Sequence, residues 1–254
     1  MWNGFNVKDY SGMVAETITM ETGNGEEIRA YYSRPISETP VASLVLIPHM
    51  PGWDEYCREA CRRFTEHGYA VLCPDIYTRY GDGTPSEVAK KARDAGMVGD
   101  ESVMKDTQAS INFLRESSNS NGKVGVIGMC SGGRHTFLAA CTLNGVDAAA
   151  DLWGGGVVMA KKDLSEARPQ SPSDFTEQLS CPLIGIFGND DRNPSKDEVN
   201  ALEKLLKKYK KDYVFYRYDG AGHGIWYYDK PMYRMEAAMD SFNKVLEFFD
   251  THLK

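Results

Sequence analysis

Gly128-Met129-Cys130-Ser131-Gly132 places a cysteine two residues from a glycine on either side. The apolar run Val124-Gly125-Val126-Ile127 leads into it, and Phe137-Leu138-Ala139-Ala140 reads as the start of a helix beyond it. A G-x-C-x-G sequence between a buried strand and a helix is the nucleophile-elbow pattern with Cys in the Ser position. The glycines have a steric reason, because side chains there would collide with the neighbouring strand and helix. The helix N-terminus adds backbone N–H groups and positive dipole, which lower a thiol pKa and can hold an oxyanion. A Gly-rich turn that only turns, or binds phosphate, is the plainer alternative. Ser131 is a rival nucleophile, but its flanks at two positions are Met129 and Gly133, so the glycine pair centres on Cys130.

Such a thiol needs a base and a group to orient that base. In α/β-hydrolases these follow in the chain order nucleophile, acid, histidine. Three histidines lie beyond Cys130. His135 sits in the elbow helix and points away from the turn; His252 is in the terminal Thr251-His252-Leu253-Lys254 and is expected to fray. His223, in Gly220-Ala221-Gly222-His223-Gly224, follows an apolar run and is the candidate base. The acid should follow the preceding strand, at Gly188-Asn189-Asp190-Asp191. There Asp190 and Asp191 are both candidates, one of them for turn or cap duty.

The elements that would position these residues alternate. After a β-hairpin (Thr17–Met20 and Ile28–Tyr32 around Gly23-Asn24-Gly25) come apolar runs at Ser43–Pro48, Ala70–Cys73, Val124–Ile127, Leu183–Phe187 and Val214–Tyr218, with a weaker one at Ala148–Trp153. Continuous apolar runs suit strands buried on both faces. Helical patterns lie at Asp54–His67, Pro85–Ala95 and Glu101–Arg115, behind the capping box Ser195-Lys196-Asp197-Glu198, and from Met235 to Phe249. The fold class is therefore α/β with a mainly parallel sheet. The polar segments 80–99 and 154–179 are expected to be loops over the strand ends, where substrate is covered.

Bulk properties narrow the function classes. The chain has 254 residues, 42% hydrophobic and 26% charged, and fits a single domain over residues 1–254. A net charge of −7 without a basic run argues against nucleic acid as partner. No run approaches a membrane span, and Met1–Tyr10 lacks the character of a signal peptide, so a cytoplasmic protein is expected. The six cysteines make no disulfide framework. Cys57 and Cys61 are four apart on a helix without a second Cys/His pair at zinc spacing, so both are read as helix residues and no metal is expected.

Four motifs together resemble the dienelactone hydrolase family, over about Val14 to Leu253: Cys73-Pro74-Asp75-Ile76-Tyr77, Gly128-Met129-Cys130-Ser131-Gly132-Gly133, Gly188-Asn189-Asp190-Asp191 and Gly220-Ala221-Gly222-His223. The resemblance implies an α/β-hydrolase fold without a large cap domain and a Cys130–His223–Asp191 triad that needs no cofactor. Its oxyanion hole would be the N–H groups of Met50 and Ser131. It implies a small ester or lactone as substrate and a monomer or small homo-oligomer. Two departures stand out. His49 occupies the place of a family glutamate that contacts the resting cysteine. Arg79 matches an arginine that meets a substrate carboxylate, but a second one after the histidine is replaced by Ile225-Trp226-Tyr227-Tyr228. A more aromatic pocket is expected, with His49, Trp53, Arg79, Trp153 and Trp226 as substrate-binding candidates.

Overall fold

The computed structural model describes residues 12–23 and 25–254. The expectation for Met1–Tyr10 and the middle residue of the Gly23-Asn24-Gly25 turn lie outside the described residues.

Eight strands form one sheet: β1 (Met13–Glu21), β2 (Glu27–Pro35), β3 (Val41–Ile47), β4 (Ala70–Pro74), β5 (Ser120–Met129), β6 (Ala148–Leu152), β7 (Leu183–Gly188) and β8 (Tyr213–Tyr218). Their order is β1-β2-β4-β3-β5-β6-β7-β8. The hairpin β1–β2 joins β4 antiparallel, and the six strands from β4 to β8 run parallel. The chain moves from β3 to β4 on one side and from β4 across to β5 on the other. The C-terminal ends of β3 and β5 therefore flank the switch point, where open α/β sheets bind ligands.

The apolar runs are continuous because both faces of the sheet are covered. Along β3, Leu44 and Leu46 belong to the core under α1 (Glu55–Glu66) and α6 (Met235–Leu253). Val45 and Ile47 belong to the opposite core, under α3 (Asp100–Glu116), α4 (Ser131–Thr142) and α5 (Lys196–Lys208). The period-two alternation of side chains assigns each residue its face.

The expected helices form, and of their caps only the Ser195–Glu198 box is read from the sequence. Thr84 and Glu87 make a capping box at α2 (Pro85–Asp94), and Ser195 and Glu198 make one at α5. Asp54 caps α1 by accepting the Cys57 N–H at 3.0 Å. The weak run at 148–153 forms a fully buried strand over Ala148–Leu152. His252 does not fray, since α6 continues to Leu253. The segment 154–179 holds only two short 3-10 turns, Lys161–Asp163 and Pro172–Gln178. Among the described residues no helix is long and apolar enough to cross a membrane.

Candidate active site

Cys130, between β5 and α4, takes a conformation L-residues seldom adopt, φ 56° and ψ −120°. Two backbone bonds fix it: its N–H donates to Leu152 O of β6 (3.0 Å), and its carbonyl accepts Arg134 N–H in the first turn of α4 (3.2 Å). The flanking glycines are required by contact. A Cβ on Gly128 would lie 2.2 Å from Gly132 O, and one on Gly132 would lie 2.1 Å from Ile47 O at the end of β3. Strain of this kind is concentrated at functional sites. Ser131 is the first residue of α4, and its hydroxyl is buried without a partner.

His223 stands in the turn after β8, with Nδ1 2.8 Å from Asp191 Oδ2. Asp191 is buried, and its other oxygen accepts the Asn193 N–H at 2.9 Å, so one carboxylate both meets the imidazole and closes its own turn. Asp190 is exposed. Ser195, not an aspartate, caps the next helix. His135 is remote in role as expected: it is buried against Asp100 at 3.2 Å.

The electrostatics favour a charged pair. Burial alone would push the Cys130 thiol up, but the hydrogen bond and charge of His223, the Ser131 N–H and the charge of His49 hold it below its ordinary value. Burial likewise opposes a charged His223, yet Asp191 and Cys130 raise it to about 10. Thiolate and imidazolium stabilise each other. Met50, on the loop after β3, presents a backbone N–H that meets no protein acceptor among the described residues.

The other sequence candidates part company. His49 is buried beside this site, with Nε2 2.9 Å from Asp54 Oδ2 and Nδ1 2.5 Å from the Tyr227 hydroxyl. Trp153 is wholly buried immediately after β6, packed on Tyr227 and Trp226 at ring distances of 5.8 Å each. Trp226 is a core residue whose indole N–H is spent on Ser241 of α6 at 2.7 Å. Trp53 leans on Tyr31 of β2, between Arg29 and Arg58. Arg79 is not a free cation. Its guanidinium grips the buried Asp106 of α3 through two bonds (2.7 and 2.8 Å) and Glu26 through a third (2.6 Å), which spends the groups a substrate carboxylate would need.

Some neighbours were not singled out from the sequence. Tyr77 is buried, and both burial and the nearby Cys130 push its hydroxyl pKa up. Arg168, on the 154–179 loop, has its Nε buried without a partner; burial and Arg134 hold it below the usual arginine value, with Tyr77 and Cys130 in its electrostatic reach. Linear spacing could not expose them, because they come from two separate loops, after β4 and after β6. Cys57 was read as a plain helix residue. It is fully buried, and its Sγ, an Asp54 oxygen and a His49 ring nitrogen all lie within 4.8 Å of one another. This is the group among the described residues whose donors could hold a metal. Asp54 bonds His49 and accepts the Cys57 backbone N–H, while the Cys57 thiol donates to Gly52 O at 3.3 Å.

A parallel sheet with a strained cysteine elbow, followed by an Asp-supported histidine, defines an α/β-hydrolase. The model of the dienelactone hydrolase family matches residues 28–253, and the chain belongs to that family. It is a hydrolase. A "Putative carboxymethylenebutenolidase" of Methylorubrum extorquens is 28% identical over 250 residues, 95% of this chain and 82% of the relative. A "Probable 2-oxo-3-(5-oxofuran-2-ylidene)propanoate lactonase" of Bradyrhizobium is 25% identical over 246 residues, 95% of this chain and 98% of the relative. In fold, the chain resembles the "Putative Dienelactone Hydrolase" of Klebsiella pneumoniae, with a TM-score of 0.86 at 24% identity, covering 94% of this chain and 99% of that one.

Proposed function

We propose that this hydrolase cleaves small esters or lactones through a thioester on Cys130. The Cys130 thiolate attacks the carbonyl carbon. The N–H groups of Ser131 and Met50 hold the oxyanion, at about 3–4 kcal/mol per donor. The C–O bond breaks, and the His223 imidazolium gives its proton to the departing alkoxide. Neutral His223 then takes a proton from water, and the resulting hydroxide attacks the thioester. The C–S bond breaks, the acid leaves and the thiolate returns. Asp191 keeps the imidazole in one tautomer and orientation. The observation that carries this reading is the Cys130 elbow, with a thiol held below its ordinary pKa by an imidazole whose other nitrogen lies 2.8 Å from a buried carboxylate. The relatives' names point to unsaturated lactones as the first substrates to try.

The experiment compares the unaltered enzyme, Cys130→Ala and Ser131→Ala on an aryl acetate and a dienelactone. Loss of turnover in Cys130→Ala, retained turnover in Ser131→Ala and an acyl adduct on the Cys130 peptide are expected. Full activity in Cys130→Ala, or an adduct on Ser131, would remove the reading.

A further inference from the structure

Three donors of different chemistry meet at the start of α1. Asp54 is the N-cap of that helix, and Cys57 lies three residues on, in its first turn. His49 comes from the loop after β3, which doubles back at Gly52. There φ is 106°, and an added Cβ would lie 2.5 Å from the Tyr77 ring. The bend brings a His49 ring nitrogen, an Asp54 oxygen and the Cys57 sulfur within 4.8 Å of one another. His49 and Cys57 are buried, whereas the Asp54 side chain keeps 25% of its surface open to solvent.

Two of these donors are already aimed by further partners. His49 Nε2 faces Asp54 Oδ2 at 2.9 Å, and Nδ1 faces the Tyr227 hydroxyl at 2.5 Å. The rings of Tyr56 and Tyr227, at 5.8 and 5.0 Å, flank the imidazole. Asp54 Oδ1 accepts the Cys57 N–H at 3.0 Å, so Oδ2 is the oxygen turned to the imidazole. Histidines and carboxylates that ligate metals are oriented in this way, each by a hydrogen bond to the atom that does not ligate. Capping α1 needs the carboxylate, but it needs neither the imidazole nor the thiol beside it. Zinc in tetrahedral coordination, with bonds of about 2.0–2.3 Å, sets its ligands roughly 3.3–3.6 Å apart. The gap between Nε2 and Oδ2 has to widen by only about 0.5 Å to reach that spacing.

We propose that His49 Nε2, Asp54 Oδ2 and the Cys57 thiolate bind one divalent cation of the zinc class, with water as the fourth ligand on the solvent side of Asp54. The sulfur argues against calcium and magnesium, which take oxygen ligands, and a mixed nitrogen, oxygen and sulfur set suits zinc. Binding releases the thiol proton, and the ion replaces the hydrogen bond between Nε2 and Oδ2. Bound there, it pins the loop that carries Met50 to the first turn of α1. The site is separate from Cys130, His223 and Asp191, and the proposal does not depend on which residue is the nucleophile.

The test uses the Cys130→Ala protein, which removes the thiol–imidazole pair of the elbow as a competing site. Cobalt(II), a spectroscopic stand-in for zinc, is titrated into the metal-free protein. One ion per chain is expected, with a near-ultraviolet thiolate-to-cobalt charge-transfer band that zinc abolishes by displacement. Adding Cys57→Ser should remove the band, and adding Cys61→Ala should leave it. Tyr227→Phe, which takes away the acceptor of the second ring N–H, should weaken zinc binding by about 10- to 100-fold. Zinc-edge X-ray absorption of the loaded Cys130→Ala protein decides the matter even if Cys57→Ser fails to fold. One sulfur at about 2.3 Å and two or three lighter atoms at about 2.0–2.2 Å are expected. Absence of the charge-transfer band, its survival in Cys57→Ser, or a zinc shell without sulfur would overturn the site.

Discussion

Arg134→Met is the most informative change to the scaffold. Arg134 lies in the first turn of α4, directly behind the elbow, and is 0% exposed. Its guanidinium meets both oxygens of Asp100 at the start of α3 (2.5 and 2.8 Å) and donates from Nε to Gly156 O (3.1 Å). Asp100 N–H in turn donates to Ala167 O at 2.8 Å. One cation therefore joins the elbow helix, α3 and the 154–179 loop. Methionine keeps much of the side-chain volume and leaves Asp100 buried with only His135. Breaking a buried pair on one side costs about 3–5 kcal/mol. For a domain of this size that is a fall in Tm of roughly 6–20 °C. Asp100 gives the effect a pH signature. Burial opposes its charge, but His135 and Arg134 hold its carboxyl at about 2. A lowered acid contributes stability that is present above its unfolded pKa, about 4, and is lost as pH falls toward 2. Urea denaturation followed by tryptophan fluorescence should show the full deficit at pH 7 and a smaller one near pH 3. Adding Asp100→Leu should recover most of it, because the orphaned charge is gone. A deficit below about 1 kcal/mol at pH 7, or a double variant no better than the single, would refute the argument that an uncompensated charge sets the cost.

Three other outcomes are expected. The kcat/KM profile should be bell-shaped, falling on the acid side as the depressed Cys130 thiol gains its proton and on the alkaline side as His223 loses its own near pH 10; a flat acid limb would count against a thiolate nucleophile. Asp151, wholly buried under the elbow, has its carboxyl raised to about 7 by burial, relieved only in part by the Gly154 N–H. Its folded form holds a proton that the unfolded form releases, so stability should decline between about pH 4 and pH 7; Asp151→Asn should remove that decline, gaining roughly 3–4 kcal/mol at pH 8 in urea titrations. Arg79→Gln should lower stability by about 1–3 kcal/mol through the orphaned Asp106, yet leave KM for a carboxylate-bearing lactone within about twofold; a large rise in KM would return Arg79 to the substrate.

What could be read in advance followed local chemistry. Strands buried on both faces announce themselves as apolar runs, and Gly128 and Gly132 mark the elbow because no side chain fits there. Chain order pointed to His223 and to the Asp190-Asp191 pair, the resemblance pointed to Asp191, and Asp191 Oδ2 lies 2.8 Å from His223 Nδ1. Long-range pairing stayed hidden. Arg79 resembled a substrate contact until Asp106, on a separate helix, claimed it. The tyrosine that meets His49 lies 178 residues away, in a stretch read only as aromatic. Trp226 looked like pocket lining because sequence does not reveal that Ser241 would take its N–H. The 154–179 segment carries no periodicity, so neither Arg168 nor its neighbours could be placed.

The tightest tolerances of the molecule and its most irregular architecture are carried by different stretches of chain. The elbow is gripped by backbone atoms of β3 and α4 at separations that forbid even one added carbon. The 154–179 segment over the strand ends, by contrast, is shaped by short 3-10 turns rather than sheet register. Natural drift or deliberate loop exchange between Gly156 and Ala167, the two points that tie the segment to Arg134 and Asp100, can therefore change the loop without disturbing how the sulfur is aimed. Such a partition suits a scaffold whose descendants take up new substrates more readily than new chemistry.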